Sequence, residues 1–391
     1  MPDSVSQSTF SFPPPVGGSV DVLVIAGEHS GDEHAARMVR GALDRTPHLK
    51  IAAVGGRHLQ AAGAQLLFDL TQFSVVGFFE VLKHYKELKG LFEEILRWIR
   101  EYKPKAVCFV DYPGMNLRIA QKLADEGLAF RCGGQTHLLY YISPQVWAWK
   151  EKRKFKMAKI LDSLAVIFPF EVEVFDGTQL ETRFVGHPFL STDYDLPVSY
   201  DPNGTILLLP GSRKAAIGRI APVLFEAFGE CLKRKGKLTA TCIYASEPLK
   251  ELLEGILNRY PEVKDHVELV PNTESIGARA VLTSSGTMSL NCALGNIPGA
   301  IAYRTHPITY LMGRALVKVP YIGIANLLLN KPLYPEYIQG AATKAKLSAE
   351  IIDCIENVER LRQTRHLAAE LRDLLDKPAT GGVSDWLLEY V

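Results

Sequence analysis

The feature that most constrains this chain is an alternation of short, nearly continuous apolar runs with stretches of helical periodicity. In the first half the runs are DVLVIA (21–26), KAVCFVD (105–111), LLYYIS (138–143), SLAVIF (163–168) and RFVG (183–186). Apolar runs this short, with no alternating polar face, read as strands buried on both sides, as in parallel sheets. Segments such as EHAARMVRGALDR and LFEEILRWIREY lie between them with apolar residues three and four apart, so this half reads as repeated βα units. A second set starts the pattern again: TILLLPG (205–211), TATCIYA (239–245), HVELV (266–270), RAVLTSSG (279–286) and GAIAYR (299–304). Between the sets, HPFLSTDYDLPVSYDPNG (187–204) carries three prolines among turn residues and reads as an interdomain linker. The expected architecture is α/β, with two doubly wound Rossmann-like parallel-sheet domains facing a cleft.

At about 150 residues per domain, 391 residues accommodate two such domains. The expected boundaries are a disordered leader at 1–18, a first domain at 19–186, the linker at 187–204, a second domain at 205–365, and C-terminal helices at 366–391 that pack back on the first domain. Lys plus Arg number 44 against 43 for Asp plus Glu, a formal charge of +1, so no strongly basic domain points to a nucleic-acid partner. The six cysteines (Cys108, Cys132, Cys231, Cys242, Cys292, Cys354) form no C-x-x-C pair, which points to neither zinc nor a disulfide framework and suits a reducing cytosol. No apolar run approaches the roughly 20 residues of a membrane span, and the N-terminus lacks the pattern of a signal peptide. Neither G-x-x-x-x-G-K-[ST] nor G-x-G-x-x-G occurs, so triphosphatase and dehydrogenase readings lose their usual signature, and no cofactor is expected.

Ligands of open α/β sheets bind beyond the carboxyl ends of the strands, so the residues that directly follow each apolar run matter most. After the first run comes Gly27-Glu28-His29-Ser30-Gly31-Asp32, a turn with acids near a helix start, which either meets a ligand or caps the helix. Asp111 is followed by Tyr112, Pro113, Gly114, Met115 and Asn116. A carboxylate there either serves as general base toward a hydroxyl or caps the next helix. In the second half Gly211 and Ser212 precede Arg213, whose planar fork suits phosphate, although a surface arginine has the same signature. Ser284, Ser285, Gly286 and Thr287 lie at a strand-to-helix turn, where backbone N–H groups and the helix dipole favour an anion. These two elements together suggest a nucleotide diphosphate ligand.

FSVVGFFEVL (73–82) is apolar on nearly every side apart from Glu80; it reads as a buried helix or as a lipid-facing surface flanked by Lys83 and Lys86. KEKRKFKMAK (150–159), with six Lys or Arg, is a solvated face or an anionic-lipid contact, and the preceding Trp147 and Trp149 are core or interfacial. His187 beside Pro188 reads as structural, and Asp193-Tyr194-Asp195 as a linker feature rather than a metal site.

Taken in order, AGEHSGD (26–32), VGG (54–56), VVGFFEVL (75–82), VDYPGMNLRIA (110–120), YISPQVWAWK (141–150), FPFE (168–171), VGHP (185–188), LLPGSR (208–213), SSGTMSLNCAL (284–294), YRTHPITYLMGRALVKVPYIGIANLL (303–328) and PEYIQGAAT (335–343) resemble one family from about residue 20 to 345: the lipid-A-disaccharide synthases, glycosyltransferases of GT-B architecture. The resemblance implies an inverting transfer of 2,3-diacylglucosamine from UDP-2,3-diacylglucosamine to 2,3-diacylglucosamine 1-phosphate, giving the β-1,6 disaccharide of lipid A and UDP. It implies a UDP-sugar site in the second domain formed by Gly211, Ser212, Arg213, Ser285, Gly286, Thr287, Asn291, Tyr303, Asn326, Glu336 and Gln339. Catalysis would rest on Asp111 as base, on Arg213 with the Ser285-Gly286-Thr287 turn at the leaving diphosphate, and on Glu28 near the acceptor, with no metal or cofactor. Ser30, Asp32, Asn116, Val76, Phe78, Phe79, Val81 and Leu82 would contact the acylated acceptor, on a cytoplasmic protein held peripherally at the inner membrane.

Three positions depart from the family's usual pattern: Asn291 stands for a Glu, Ala216 for an acid and Gly114 for a second Asp. A homodimer is a further expectation, because the apolar residues of SDWLLEYV (384–391) have no assigned partner. Two rival readings share parts of this pattern. A UDP-N-acetylglucosamine 2-epimerase has the same architecture and diphosphate site but no need of an apolar 75–82 surface, and a non-catalytic binder of UDP-sugars or lipids needs no base at Asp111.

Overall fold

The computed structural model describes residues 10–71, 85–148, 150–191, 194–307, 309–311 and 319–391. The chain divides into two units, Met1–Pro188 together with Lys377–Val391, and Phe189–Asp376. Each unit is a doubly wound α/β layer structure, as the alternation of runs requires.

In the first unit β1 (Val22–Ala26), β2 (Ile51–Gly55), β3 (Gln65–Asp69), β4 (Ala106–Val110), β5 (His137–Tyr141), β6 (Ser163–Val166) and β7 (Glu181–Phe184) form a seven-stranded parallel sheet of order 3-2-1-4-5-6-7. Strands β1, β2 and β4 are buried at every residue, which is why their sequences show no polar face. Helices His29–Arg45, Tyr85–Tyr102 and Pro113–Asp125 connect them, and Trp98, Phe109 and Tyr140 are among the largest fully buried side chains. The sequence reading passed over β2 and β3. IAAVG is diluted by two alanines, and QLLFD is an edge strand that is only half-buried at most positions.

In the second unit β8 (Val198–Leu209), β9 (Ala240–Tyr244), β10 (Val267–Pro271), β11 (Ile276–Thr283), β12 (Gly299–Tyr303) and β13 (Glu336–Ile338) form a six-stranded parallel sheet of order 10-9-8-11-12-13. Strand β8 starts inside the stretch read as linker. Val198 and Ser199 pair with Ile276 and Gly277, and the register then jumps to Thr205 opposite Ala278. The Pro202-Asn203-Gly204 turn is therefore carried as an irregularity within the strand rather than ending it.

Residues 10–18 are not the disordered leader their composition suggested. Phe12 is 6% exposed, and its N–H donates to Glu94 Oε1 at 2.6 Å. The Trp98 indole donates to the Pro13 carbonyl, and the Gln65 amide exchanges hydrogen bonds with the backbone of Pro14 and Val16. Phe10 and Phe12 pack on Phe68, with ring centroids 5.3 and 6.1 Å away. A proline-rich segment loses little backbone entropy on docking, so two buried rings and these bonds suffice to order it.

Helix Val383–Leu388 lies on helix His29–Arg45: Ser384 donates to the Met38 carbonyl at 2.9 Å, and the Trp386 indole donates to Ser163 Oγ at 2.8 Å. Trp386 and Leu387 are thereby buried within their own unit, so SDWLLEYV does not call for a second copy of the chain. The apolar 75–82 segment with Val76, Phe78, Phe79, Val81 and Leu82, and also Trp149 and Asp193, lie outside the described residues. Among the described residues no helix is long and apolar enough to cross a membrane.

Candidate active site

In each sheet the strand order reverses direction once, between β1 and β4 and between β8 and β11. The crevice beyond the carboxyl ends of such a strand pair is where open α/β sheets bind ligands. The four motifs singled out from the sequence follow these four strands.

In the first unit Glu28 is the N-cap residue of helix His29–Arg45, with Ser30 in its first turn; both are half-buried. A Cβ at Gly27 would lie 2.3 Å from Tyr112 Cδ1, so the loop after β1 is glycine because the Tyr112 ring rests on it. This contact brings Glu28 and Asp111 into one neighbourhood. Asp111 and Tyr112 have φ of 45° and 49°, the left-handed region that non-glycine residues avoid. Such strain costs on the order of 1 kcal/mol per residue and persists only where surroundings enforce it. Here the Asp111 N–H donates to the Tyr141 carbonyl at 3.0 Å, while its own carbonyl accepts from Tyr140 Oη at 2.6 Å and Asn116 Nδ2 at 2.7 Å. Pro113 then opens the next helix with φ already set. The Asp111 side chain is left half-exposed at the end of β4.

Two residues expected to touch the acceptor have other duties. Asp32, 1% exposed, accepts from the N–H groups of Gly56, His58 and Leu59 at 2.7, 3.0 and 3.3 Å, and so caps helix Arg57–Ala61. A Cβ at Gly56 would meet Asp32 Oδ2 at 2.5 Å, which explains the VGG motif. Asn116 is fully buried and also reaches the Ile25 and Val110 carbonyls, stapling the ends of β1 and β4. Neither side chain is placed for a ligand.

The sequence reading missed Tyr140 and Glu171. Burial, then the Asp111 charge, pushes the Tyr140 hydroxyl well above its ordinary range. Glu171 is 1% exposed, and burial pushes its carboxyl up to about 8. The available signal was an acid inside the apolar FPFE motif.

In the second unit Gly211 turns the chain after β8 with φ of 106°, and a Cβ there would sit 3.1 Å from Ser284 Oγ, so the two motif loops abut. Arg213 is the N-cap residue of helix Lys214–Lys235 and Gly286 that of helix Thr287–Leu294; neither helix has a side-chain cap or an acid in its first turn. Two helix N-termini of this kind present N–H groups and positive dipole ends suited to phosphate oxygens. Ser212, Arg213 and Thr287 are exposed. Ser285 Oγ donates to the Ile322 carbonyl at 3.0 Å; the Glu336 carboxylate accepts from the N–H groups of Ile322 and Gly323 and from Asn326 Nδ2 at 2.8 Å. Asn326 is fully buried and also exchanges bonds with the Tyr334 backbone, so it positions Glu336 rather than meeting solvent. Gln339 is pinned to the Thr305 backbone in both directions, next to Tyr303 at the end of β12. Asn291 is buried and accepts from the Tyr194 hydroxyl at 3.0 Å. Among the described residues no three His, Cys, Asp or Glu cluster as metal ligands.

The family model described as Lipid-A-disaccharide synthetase matches residues 22–380. Similar curated proteins include the lipid-A-disaccharide synthase of Nitrosococcus oceani, 32% identical with 88% of this chain and 89% of that one covered. The enzyme of Geobacter metallireducens is 32% identical, with 93% and 94% covered. Among solved structures, UDP-GlcNAc 2-epimerase from Neisseria meningitidis bound to UDP-GlcNAc superposes with a TM-score of 0.60 at 10% identity, covering 95% of this chain and 99% of that one. The glycotransferase of kitacinnamycin gives 0.56 at 11%, covering 95% and 99%. At such identities these two likenesses concern the fold alone, one shared by glycosyltransferases and sugar-nucleotide epimerases.

Proposed function

The chain belongs to the lipid-A-disaccharide synthase family, and from that premise we propose that it joins 2,3-diacylglucosamine from its UDP-linked form to 2,3-diacylglucosamine 1-phosphate. It is a glycosyltransferase of lipid A disaccharide synthesis, and the epimerase and binder readings are not favoured. The observation that carries the proposed chemistry is Asp111: a half-exposed carboxylate at the end of β4, on a strained backbone held by Tyr140, Tyr141 and Asn116. A carboxylate so fixed takes the proton from the acceptor hydroxyl as that oxygen bonds to the anomeric carbon. The bond from that carbon to the diphosphate breaks on the opposite side, inverting its configuration, and UDP leaves. Arg213 and the N–H groups at Ser285, Gly286 and Thr287 supply charge complementarity to the leaving diphosphate. Glu28, on the loop that touches Tyr112, is assigned to the acceptor side, with Ser30 beside it.

Peripheral attachment to an anionic membrane surface is part of the same proposal. It is supported by helix Arg153–Ile160, where Phe155 is 50% exposed with Lys154 Nζ 5.3 Å from its ring, among further lysines.

The test is UDP release in mild detergent with EDTA, with and without the acylated acceptor. Release that requires acceptor, reduced about 10²-fold or more by Asp111→Asn, is the expected result. Near-normal turnover of that variant removes Asp111 as base; no release from the wild type removes the transferase reading.

A further inference from the structure

The loops after β5 and β6 meet at a carboxyl group to which the proposed chemistry gives no role. Glu171 opens helix Glu171–Val174 just beyond β6 and is 1% exposed. Its Oε1 accepts from the Trp147 indole at 3.2 Å and its Oε2 from the Phe168 N–H at 3.3 Å, while the Ile167 backbone adds a further bond. Trp147 belongs to the loop after β5 and packs edge-on against Phe170, with centroids 5.2 Å apart. Strand β5 also carries Tyr140, whose hydroxyl grips the Asp111 carbonyl, and the residue directly after the strand, Ile142, has a φ of 66°, rare for a β-branched residue.

We propose that Glu171 is a positioning residue for the transfer reaction: by tying the Trp147 loop to the chain after β6, it fixes the wall beside Asp111. The assignment rests on the function proposed above for Asp111. Burial is the main reason the Glu171 carboxyl is pushed up to about 8, and the Asp111 charge adds to it. At neutral pH Glu171 is therefore the uncharged acid, and its ionisation in alkali would set a second negative charge against Asp111. Asp111 is faced in turn by Tyr140, whose hydroxyl also feels Arg153. A buried acid kept uncharged costs folding stability at neutral pH, and groups of that kind concentrate at functional sites.

Glutamine at this position keeps the volume but has one acceptor oxygen, so it cannot hold both the indole and the Phe168 N–H. The expected result for Glu171→Gln is a kcat lowered by about tenfold or more at neutral pH, with the KM for the UDP-sugar unchanged and a melting temperature equal to or above that of the wild type. Trp147→Phe, which removes the indole donor but keeps an aromatic ring, should show the same split between kcat and KM and serves where the first variant folds poorly. Independently of turnover, the tryptophan fluorescence of the wild type should step as Glu171 ionises near pH 8, and the step should vanish in both variants. A Glu171→Gln protein with wild-type kcat, one that keeps the fluorescence step, or, where that variant folds poorly, a Trp147→Phe protein with wild-type kcat overturns the proposal. Wild-type protein inert with donor and acceptor overturns the transferase reading instead, whereas the fluorescence step answers for Glu171 alone.

Discussion

Acid should weaken the first unit through two histidines that the reaction does not use. His34, 7% exposed on helix His29–Arg45, and His187, 5% exposed after β7, are both interior. Burial, with Arg37 adding, pulls His34 from 6.5 down to about 4; burial, with His34 adding, pulls His187 down to about 3. Because both folded values lie below the unfolded one, the unfolded chain takes up these protons first. The associated stability is present above pH 6.5 and is lost as pH falls toward the folded values. At about pH 5 each histidine has withdrawn about 2 kcal/mol, a large part of the 5–15 kcal/mol typical of a domain. Glu171 acts in the opposite sense over the same window: its folded value lies above 4.5, so the native state takes up that proton first and gains stability as pH falls. Wild-type stability alone therefore mixes the two, and the measurement has to be a difference. All four tryptophans of the chain fall in the first unit, so urea unfolding followed by their fluorescence reports that unit. Whatever His187→Gln costs at about pH 7.5, the gap between wild type and variant should shift by about 2 kcal/mol in the variant's favour at about pH 5. A gap that stays constant refutes the reasoning.

Other expectations concern the motif residues. Asp32→Asn leaves at least one of three backbone N–H groups facing an amide NH2, so the first unit should lose about 3 kcal/mol and melt roughly 10 °C lower; an unchanged melting point would remove its capping role. Gly27→Ala puts a methyl within 2.8 Å of three Tyr112 ring atoms, so turnover should fall about tenfold with UDP affinity intact; normal turnover would show that Tyr112 can move without disturbing Asp111. Arg213→Ala should weaken UDP binding about tenfold or more by calorimetry, and equal affinity would remove the arginine from the diphosphate site.

The chain's local pattern was sufficient for the βα alternation of both units and for most of their strands. A run such as DVLVIA or KAVCFVD declares a two-sided buried strand by itself, and the residue after it is at the strand's end whatever the rest of the molecule does. Runs diluted by alanine or cut short, as at β2 and β13, fell below that signal.

What the pattern could not decide is whether a polar residue in a motif faces a ligand or the interior. Asp32 and Asn116 stand in the same motifs as Glu28 and Asp111, and Asn326 in a motif of the same series as that of Arg213, yet the structure closes Asp32, Asn116 and Asn326 inside hydrogen-bond networks. Phe12 finds Glu94 across 82 positions, and that bond helps to turn a composition typical of a tail into an ordered segment. Glu171 meets Trp147 across 24 positions, and burial there, not anything in FPFE, makes it an acid uncharged at neutral pH. Hydrophobic periodicity repeats every two to four residues and is written in any short stretch of chain. Desolvation and hydrogen-bond partnership depend on which distant residues arrive at the same place, and only the tertiary structure determines that.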